Sequence, residues 1–288
     1  MVVRRRDVLT GLLATGGLIT WGLTGKAAHA YDVTITPTDP QLGDTISVVV
    51  QAKSGAVTPT VTANGKEYPS FPLSDNRFRT FIPTSPLDPP GRIVIRVSGD
   101  EDTRNLAVGL RNRSFSTQRI NLRGSGSLGT DHEFDRVYAF KRLVSPERHW
   151  NGPLLRPSQG RVSSAYGVRR YYNGVFAENY YHRGVDYAAS TGSPVIAPAA
   201  GYIRLVGRVA DGFELHGNTI GIDHGQGLLS IMIHLSRIDV REGDFVRAGQ
   251  TIGGIGSTGA STGPHLHWGL YMNQVAVDPV PWRYGEFE

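Results

Sequence analysis

Over residues 31–120 apolar and polar positions alternate in short runs punctuated by turn residues. "DVTITPT", "DTISVVVQA" and "GRIVIRVSGD" are β-branched or follow a period of two, which puts successive side chains on opposite faces of a strand. Asn64-Gly65 predicts a two-residue hairpin, because both positions tolerate positive φ. Nine prolines between Pro37 and Pro90 leave little room for helix. The pattern predicts a small β-sandwich of immunoglobulin-like size. With no histidine and only scattered acids, the segment offers no catalytic constellation.

The pattern changes at residues 121–150. "GSGSLGT" reads as a flexible linker, and "DHEFDRVYAFKRLVSPERHW" predicts a short helix that ends before Pro146. From residue 151 to 288 strand-like runs return, now rich in glycine: "PVIAPAAGYIRLVG", "NTIGIDHG", "LLSIMIHLS" and "QTIGGIG". Long helical periodicity is absent. The chain therefore reads as mainly β, with a second antiparallel sheet that encloses an open groove.

Residues 1–30 read as an export signal to be set apart from the fold. Arg4, Arg5 and Arg6 precede a modestly apolar stretch with five glycines in residues 11–25, then Lys26 and an A-x-A pattern at Ala28–Ala30. "RRDVL" resembles a twin-arginine signal, and an uncleaved N-terminal anchor is the alternative. No later stretch is apolar for long enough to span a bilayer. The formal charge is +5, of which the signal supplies three, so the mature chain is near +2 and gives no case for nucleic acid. A chain of 288 residues without cysteine relies on packed cores rather than disulfides.

The candidate chemistry lies in three elements of the C-terminal half. In "PHLHWGLY" the period of two puts His265 and His267 on one face and Leu266, Trp268 and Leu270 on the other. In "YYHRGVDYAA" His182 and Asp186 stand close enough for one loop to deliver both, with Gly184 predicted to allow a sharp turn. Asp186 taken alone could equally pair with Arg183. In "IMIHLSRID" His234 interrupts an apolar strand, where an unpaired imidazole is costly.

"HRGVD", "IHLS" and "STGPHLHW", in that order, resemble the lysostaphin-type zinc metallopeptidases, which cleave peptide cross-links in bacterial cell walls. The similarity extends through "GRVSSAYGVR", "GSPVIAPAAG" and "VREGDFVRAGQTIGGIGSTG", and covers roughly residues 151–283. It implies one Zn²⁺ on His182, Asp186 and His267, with His234 and His265 as the catalytic histidines and peptidoglycan as substrate. With three protein ligands zinc keeps a fourth position for water, and it brings the pKa of that water to about 7 for attack on a peptide carbonyl. The family also places a tyrosine before the first ligand, a position for which Tyr171, Tyr172, Tyr180 and Tyr181 compete.

His224 is expected to be structural or groove-lining, and His132 and His149 to be surface or linker residues. Residues 31–150 gain nothing from the resemblance and are left as spacer, wall binder or lid. A lipoyl-carrier role, suggested by "VREGDFVRAGQ", is excluded because no lysine follows Lys141. HExxH is absent from the chain. The remaining alternative to a hydrolase is a non-catalytic envelope module that binds wall or regulates a hydrolase through the same groove.

Overall fold

The computed structural model describes residues 31–53, 57–99, 102–121, 129–285 and 287. The export-signal segment and most of the "GSGSLGT" linker lie outside the described residues. The first domain is a pair of four-stranded antiparallel sheets. One carries Tyr31–Thr36, Thr45–Ala52, Arg77–Pro83 and Ser70–Pro72, and the other carries Lys66–Tyr68, Thr60–Ala63, Gly91–Gly99 and Asp102–Leu110. The predicted alternation is visible in Gly91–Gly99, where Ile93, Ile95 and Val97 point inward between exposed Arg92, Val94 and Arg96. These side chains meet Ile46, Val48, Val50 and Phe78 of the facing sheet in one apolar cluster. Asn64 and Gly65 take φ of 48° and 83°, closing the hairpin between Thr60–Ala63 and Lys66–Tyr68.

The second domain is built on one antiparallel sheet. Its strands run in the order Arg161–Ser164, Val185–Ala188, His265–Met272, Leu228–Leu235, Asn218–Gly225, Gly201–Gly207 and Phe245–Val246, with Val275–Val277 beside His265–Met272. Trp268, Tyr187, Ile203, Leu205, Ile220 and Ile222 are fully buried. The helix Asp131–Lys141 is the one α-helix among the described residues. It starts on a capping box: the Thr130 hydroxyl accepts the Glu133 N–H at 3.1 Å, and the Glu133 carboxylate reaches back to the Thr130 N–H. Val137 and Phe140 dock it on the large core, beside strand Gly201–Gly207. Strand Thr117–Ile120 pairs in parallel with Arg169–Tyr172, at the edge of the second domain.

The sandwich docks against one end of the large sheet. Arg79 is fully buried there, its guanidinium directed at the Gln226 amide oxygen and lying 4.8 Å and 4.7 Å from the Phe81 and Trp150 ring centroids. Asn273 donates to the Phe81 carbonyl at 2.9 Å, and Trp282 Nε1 donates to Thr45 Oγ1 at 3.2 Å. Arg113 pairs with buried Asp278 at 2.8 Å. Asn273 follows directly on strand His265–Met272. At about 3.3 Å per residue, the strand's end at Met272 lies roughly 16 Å from His267 and roughly 23 Å from His265. No helix among the described residues is long and apolar enough to cross a membrane.

His224 belongs to this framework. It is fully buried, donates Nδ1–H to the Ala200 carbonyl at 2.8 Å and accepts the Ser230 hydroxyl at Nε2, at 2.9 Å. Ser230 in turn takes the Trp268 indole N–H at 3.1 Å. Burial lowers the His224 pKa to about 4, so the folded chain resists a proton that the unfolded chain, with an ordinary imidazole, accepts. The stabilising difference is complete above the unfolded value of about 6.5 and is lost as pH falls towards 4, in total about 3 kcal/mol. Urea unfolding should therefore show stability falling over that window, and the fall should shrink by a comparable amount in His224→Gln.

Candidate metal centre

Three acceptor atoms meet at the front of the large sheet. Asp186 and His267 are directly opposite in the pairing of Val185–Ala188 with His265–Met272, so they share a face, and Asp186 Oδ1 lies 2.9 Å from His267 Nδ1. His182 arrives from the preceding loop. Its N–H donates to the Val168 carbonyl, its own carbonyl accepts the Gly167 N–H, and its Nδ1 lies 2.8 Å from the Ala165 carbonyl. A carbonyl oxygen only accepts, so this Nδ1 carries the proton and Nε2 presents a lone pair. That Nε2 lies 3.1 Å from Asp186 Oδ1 and 3.0 Å from His267 Nδ1.

These separations suit a cation. A tetrahedral ion with bonds of about 2.0 Å has ligand–ligand edges of about 3.3 Å, and one carboxylate oxygen with two imidazole nitrogens is a donor set zinc accepts. Protons alone satisfy it poorly: with both rings neutral, only His267 Nδ1 has a hydrogen to offer, and it serves one edge of the triangle. Burial opposes ionisation of Asp186, but the His182 and His267 rings against it outweigh that and hold its carboxyl far below the usual range. Burial lowers His267 to about 4. At neutral pH Asp186 is thus a carboxylate and His267 a neutral imidazole, the protonation states that ligate metal.

The chain bends at Gly184, as expected, but the bend is not what demands a glycine. Its φ is not positive, and what requires glycine is proximity: a Cβ there would lie 2.3 Å from the Trp268 carbonyl oxygen and 2.8 Å from His267 Nε2. The ligand loop packs flush against the ligand strand.

Two further imidazoles stand beside the triad. His265 Nδ1 donates to the Gly263 carbonyl at 2.8 Å, and its Nε2 lies 3.9 Å from Asp186 Oδ1. His234 Nδ1 donates to the Thr258 carbonyl at 2.8 Å, and its ring centroid is 4.8 Å from that of His265. Burial, reinforced by the neighbouring His267, lowers His234 to about 3. Simple alternation would turn His234 away from the site with Met232, since Ile233 is the residue opposite His267. A left-handed backbone at His234, φ 67°, breaks the alternation. All five histidine and aspartate positions singled out in the sequence therefore fall in one cluster.

The tyrosines separate. Tyr181 is buried and donates to the Ala276 carbonyl at 3.1 Å, with burial raising its pKa to about 12. Tyr171 stacks on Phe176 and Arg119. Tyr172 and Tyr180 converge on Arg170, whose Nη1 lies 3.4 Å and 2.8 Å from their hydroxyls. His132 is exposed near Phe213, and His149 packs between Tyr202 and Phe245.

One buried carboxylate escaped the sequence reading. Glu133 is fully buried, and its oxygens take the N–H groups of Glu214, Leu215 and His216 at 3.1, 3.0 and 2.6 Å, with His216 Nδ1 also at 2.6 Å. Burial opposes its charge, but the hydrogen bonds from His216 and Leu215 prevail and hold its pKa at about 2. A short helix was expected here from the sequence, whereas the second role of Glu133 had no local signal.

Residues 180–279 match the peptidase family M23, a segment that contains His182, Asp186, His234, His265 and His267. The chain is 42% identical over 120 residues to a DD-carboxypeptidase/endopeptidase, Mpg, of Neisseria meningitidis serogroup B, covering 42% of this chain and 26% of that protein. It is 40% identical over 121 residues to the glycyl-glycine endopeptidase ALE-1 of Staphylococcus capitis, covering 40% and 32%. The chain thus spans about a quarter to a third of these relatives. A putative M23 peptidase from Pseudomonas aeruginosa superposes with a TM-score of 0.63 at 27% identity, over 86% of this chain and 96% of that one. The superposition extends across both domains.

The close approach at Gly184 makes a sharp test. Gly184→Ala should push back the His267 ring and the Trp268 backbone, costing about 1–3 kcal/mol as overpacking does. Zinc content of the purified variant should fall well below that of the wild type; full occupancy would show that the loop yields without disturbing the ligands.

Proposed function

The C-terminal domain belongs to peptidase family M23, the lysostaphin-type metallopeptidases, and we propose that the chain is a zinc-dependent endopeptidase hydrolysing peptide cross-links of bacterial peptidoglycan. The observation that carries this reading is the convergence of His182, Asp186 and His267 within hydrogen-bond distance, with the His234 and His265 rings beside them. Bound there, zinc supplies Lewis acidity and a water of lowered pKa.

The roles of His234 and His265 follow from their fixed hydrogen bonds. Each commits Nδ1–H to a backbone carbonyl, so each exchanges protons at Nε2. Burial keeps His234 neutral at neutral pH, with its Nε2 unprotonated. The other ring then polarises the peptide carbonyl or protonates the departing amine. Asp186 contributes the negative charge that offsets the cation, which lessens repulsion when either ring is protonated.

A peptidoglycan substrate places the protein outside the cytoplasm, and "RRDVL" with the glycine-rich stretch after it supports export by the twin-arginine route. A wall-binding module without catalysis is the competing reading. An intact ligand set and two catalytic-type histidines weigh against it, because binding alone has no use for a proton carrier.

Chelation should abolish wall hydrolysis and added Zn²⁺ should restore it; hydrolysis that survives stringent metal removal would overturn the proposal. Zinc binding and proton handling should also separate by mutation. His267→Ala should strip the zinc, whereas His234→Ala should keep near-stoichiometric zinc and lose roughly 10²–10⁴-fold in kcat. His265→Ala discriminates between the two histidines of "PHLHW". Should it lose zinc while His267→Ala retains it, the ligand and catalytic roles are reversed.

A further inference from the structure

We propose that Glu133 is a positioning residue for His234, acting from the helix between the domains through the backbone of residues 214–216. Three consecutive N–H groups and the His216 ring end on this one carboxylate, which lies in the first turn of helix Asp131–Lys141. Backbone amides that converge on one anion fix the conformation of the segment that carries them. The Thr130 hydroxyl adds a second tie from the same helix start by donating to the Gly212 carbonyl at 2.8 Å.

The clamped segment leads directly to the histidine. The His216 carbonyl accepts the backbone N–H of His234 at 3.0 Å. On the next residue, a Cβ at Gly217 would lie 2.5 Å from the Thr258 backbone, so segment and Thr258 are in contact. Thr258 Oγ1 accepts the Asn218 N–H at 3.0 Å, and the Thr258 carbonyl accepts His234 Nδ1–H at 2.8 Å. Both N–H groups that orient His234 therefore end on acceptors held in one unit, and Glu133 anchors that unit.

The left-handed backbone of His234 makes such anchoring necessary. A residue other than glycine in this region persists only where its surroundings over-determine it. Release of the His216 carbonyl removes one of the two constraints and lets His234 relax towards the extended form, which aims its ring elsewhere. Glu133 lies upstream of the matched residues 180–279, so the catalytic unit of this chain begins at the helix.

The catalytic half of this inference rests on the proposed hydrolase; the structural half does not, and the test separates them. Full-length wild type, Glu133→Gln and Thr130→Val are compared by hydrogen exchange at the His234 amide, zinc content, thermal stability, and kcat and KM on a cross-linked peptidoglycan fragment. Gln keeps the shape of Glu133 but loses its charge and turns an NH₂ towards N–H donors. Glu133→Gln should keep its zinc, exchange the His234 amide at least tenfold faster and lose roughly 10–100-fold in kcat with KM within about twofold. Thr130→Val should move the same readouts less, and it decides the matter if Glu133→Gln fails to fold. Lowered thermal stability with wild-type exchange at His234 and wild-type kcat would overturn the inference and leave Glu133 a purely structural residue. Faster exchange in Glu133→Gln alongside a wild type that cleaves nothing would uphold the coupling and reject the hydrolase.

Discussion

The site depends on holding three hydrogen-bond acceptors within about 3 Å of one another on the face of a sheet. Such a cluster is unfavourable in the free chain, where each lone pair prefers water, and removing it from water costs about 1–3 kcal/mol per unsatisfied group. A bound cation reverses the sign of that cost. The fold must therefore supply rigidity before metal arrives, and it does so from the backbone: Asp186 and His267 are a cross-strand pair, and three backbone groups fix His182. The glycine at 184 lets the two parts close to the distance that coordination requires.

The same logic extends outward to the two neighbouring histidines, His234 and His265. An imidazole exchanges protons usefully only if one nitrogen is tied and the other is free, and carbonyls at Gly263 and Thr258 tie Nδ1 in His265 and His234. Burial keeps His234 neutral, so it does not compete as a cation with the metal. These properties come from loop carbonyls and a left-handed residue rather than from the sheet itself. The sheet sets where the ligands are, and the loops set what the neighbouring rings do.

Much of this was legible in the chain. The H-x-H spacing placed His265 and His267 on one face because strand geometry has a period of two, and the strand runs at 218–225 and 228–235 matched the observed elements closely. The short helix was readable from its start. What stayed hidden was set by long-range pairing: the register that brings Asp186 opposite His267, and the positive φ that turns His234 against its own strand's alternation. The bend at Gly184 was readable, but its close approach to the Trp268 backbone was not, since sequence does not tell a turn glycine from one pressed against a neighbouring strand. Glu133 was invisible for a related cause: its partners lie some eighty residues downstream.

The placement of the sandwich follows from the same division of labour. Its contacts, centred on buried Arg79 and on the Asn273 and Trp282 hydrogen bonds, fall at the end of strand His265–Met272 remote from the two histidines. A buried guanidinium held by an amide oxygen and two aromatic faces makes that junction specific, because separating the domains leaves a charge-lined patch against an apolar one. Among the described residues no atom of the sandwich hydrogen-bonds to the five site residues. What reaches the site region from upstream is the connecting chain: Gln118, on strand Thr117–Ile120, accepts the Arg170 Nε–H at 3.2 Å, and helix Asp131–Lys141 carries Glu133. The connecting chain thus offers these two contacts towards the site region, one at the Arg170–Tyr172–Tyr180 cluster and one at the segment 214–216 beside His234. Neither requires the sandwich to cover the metal centre.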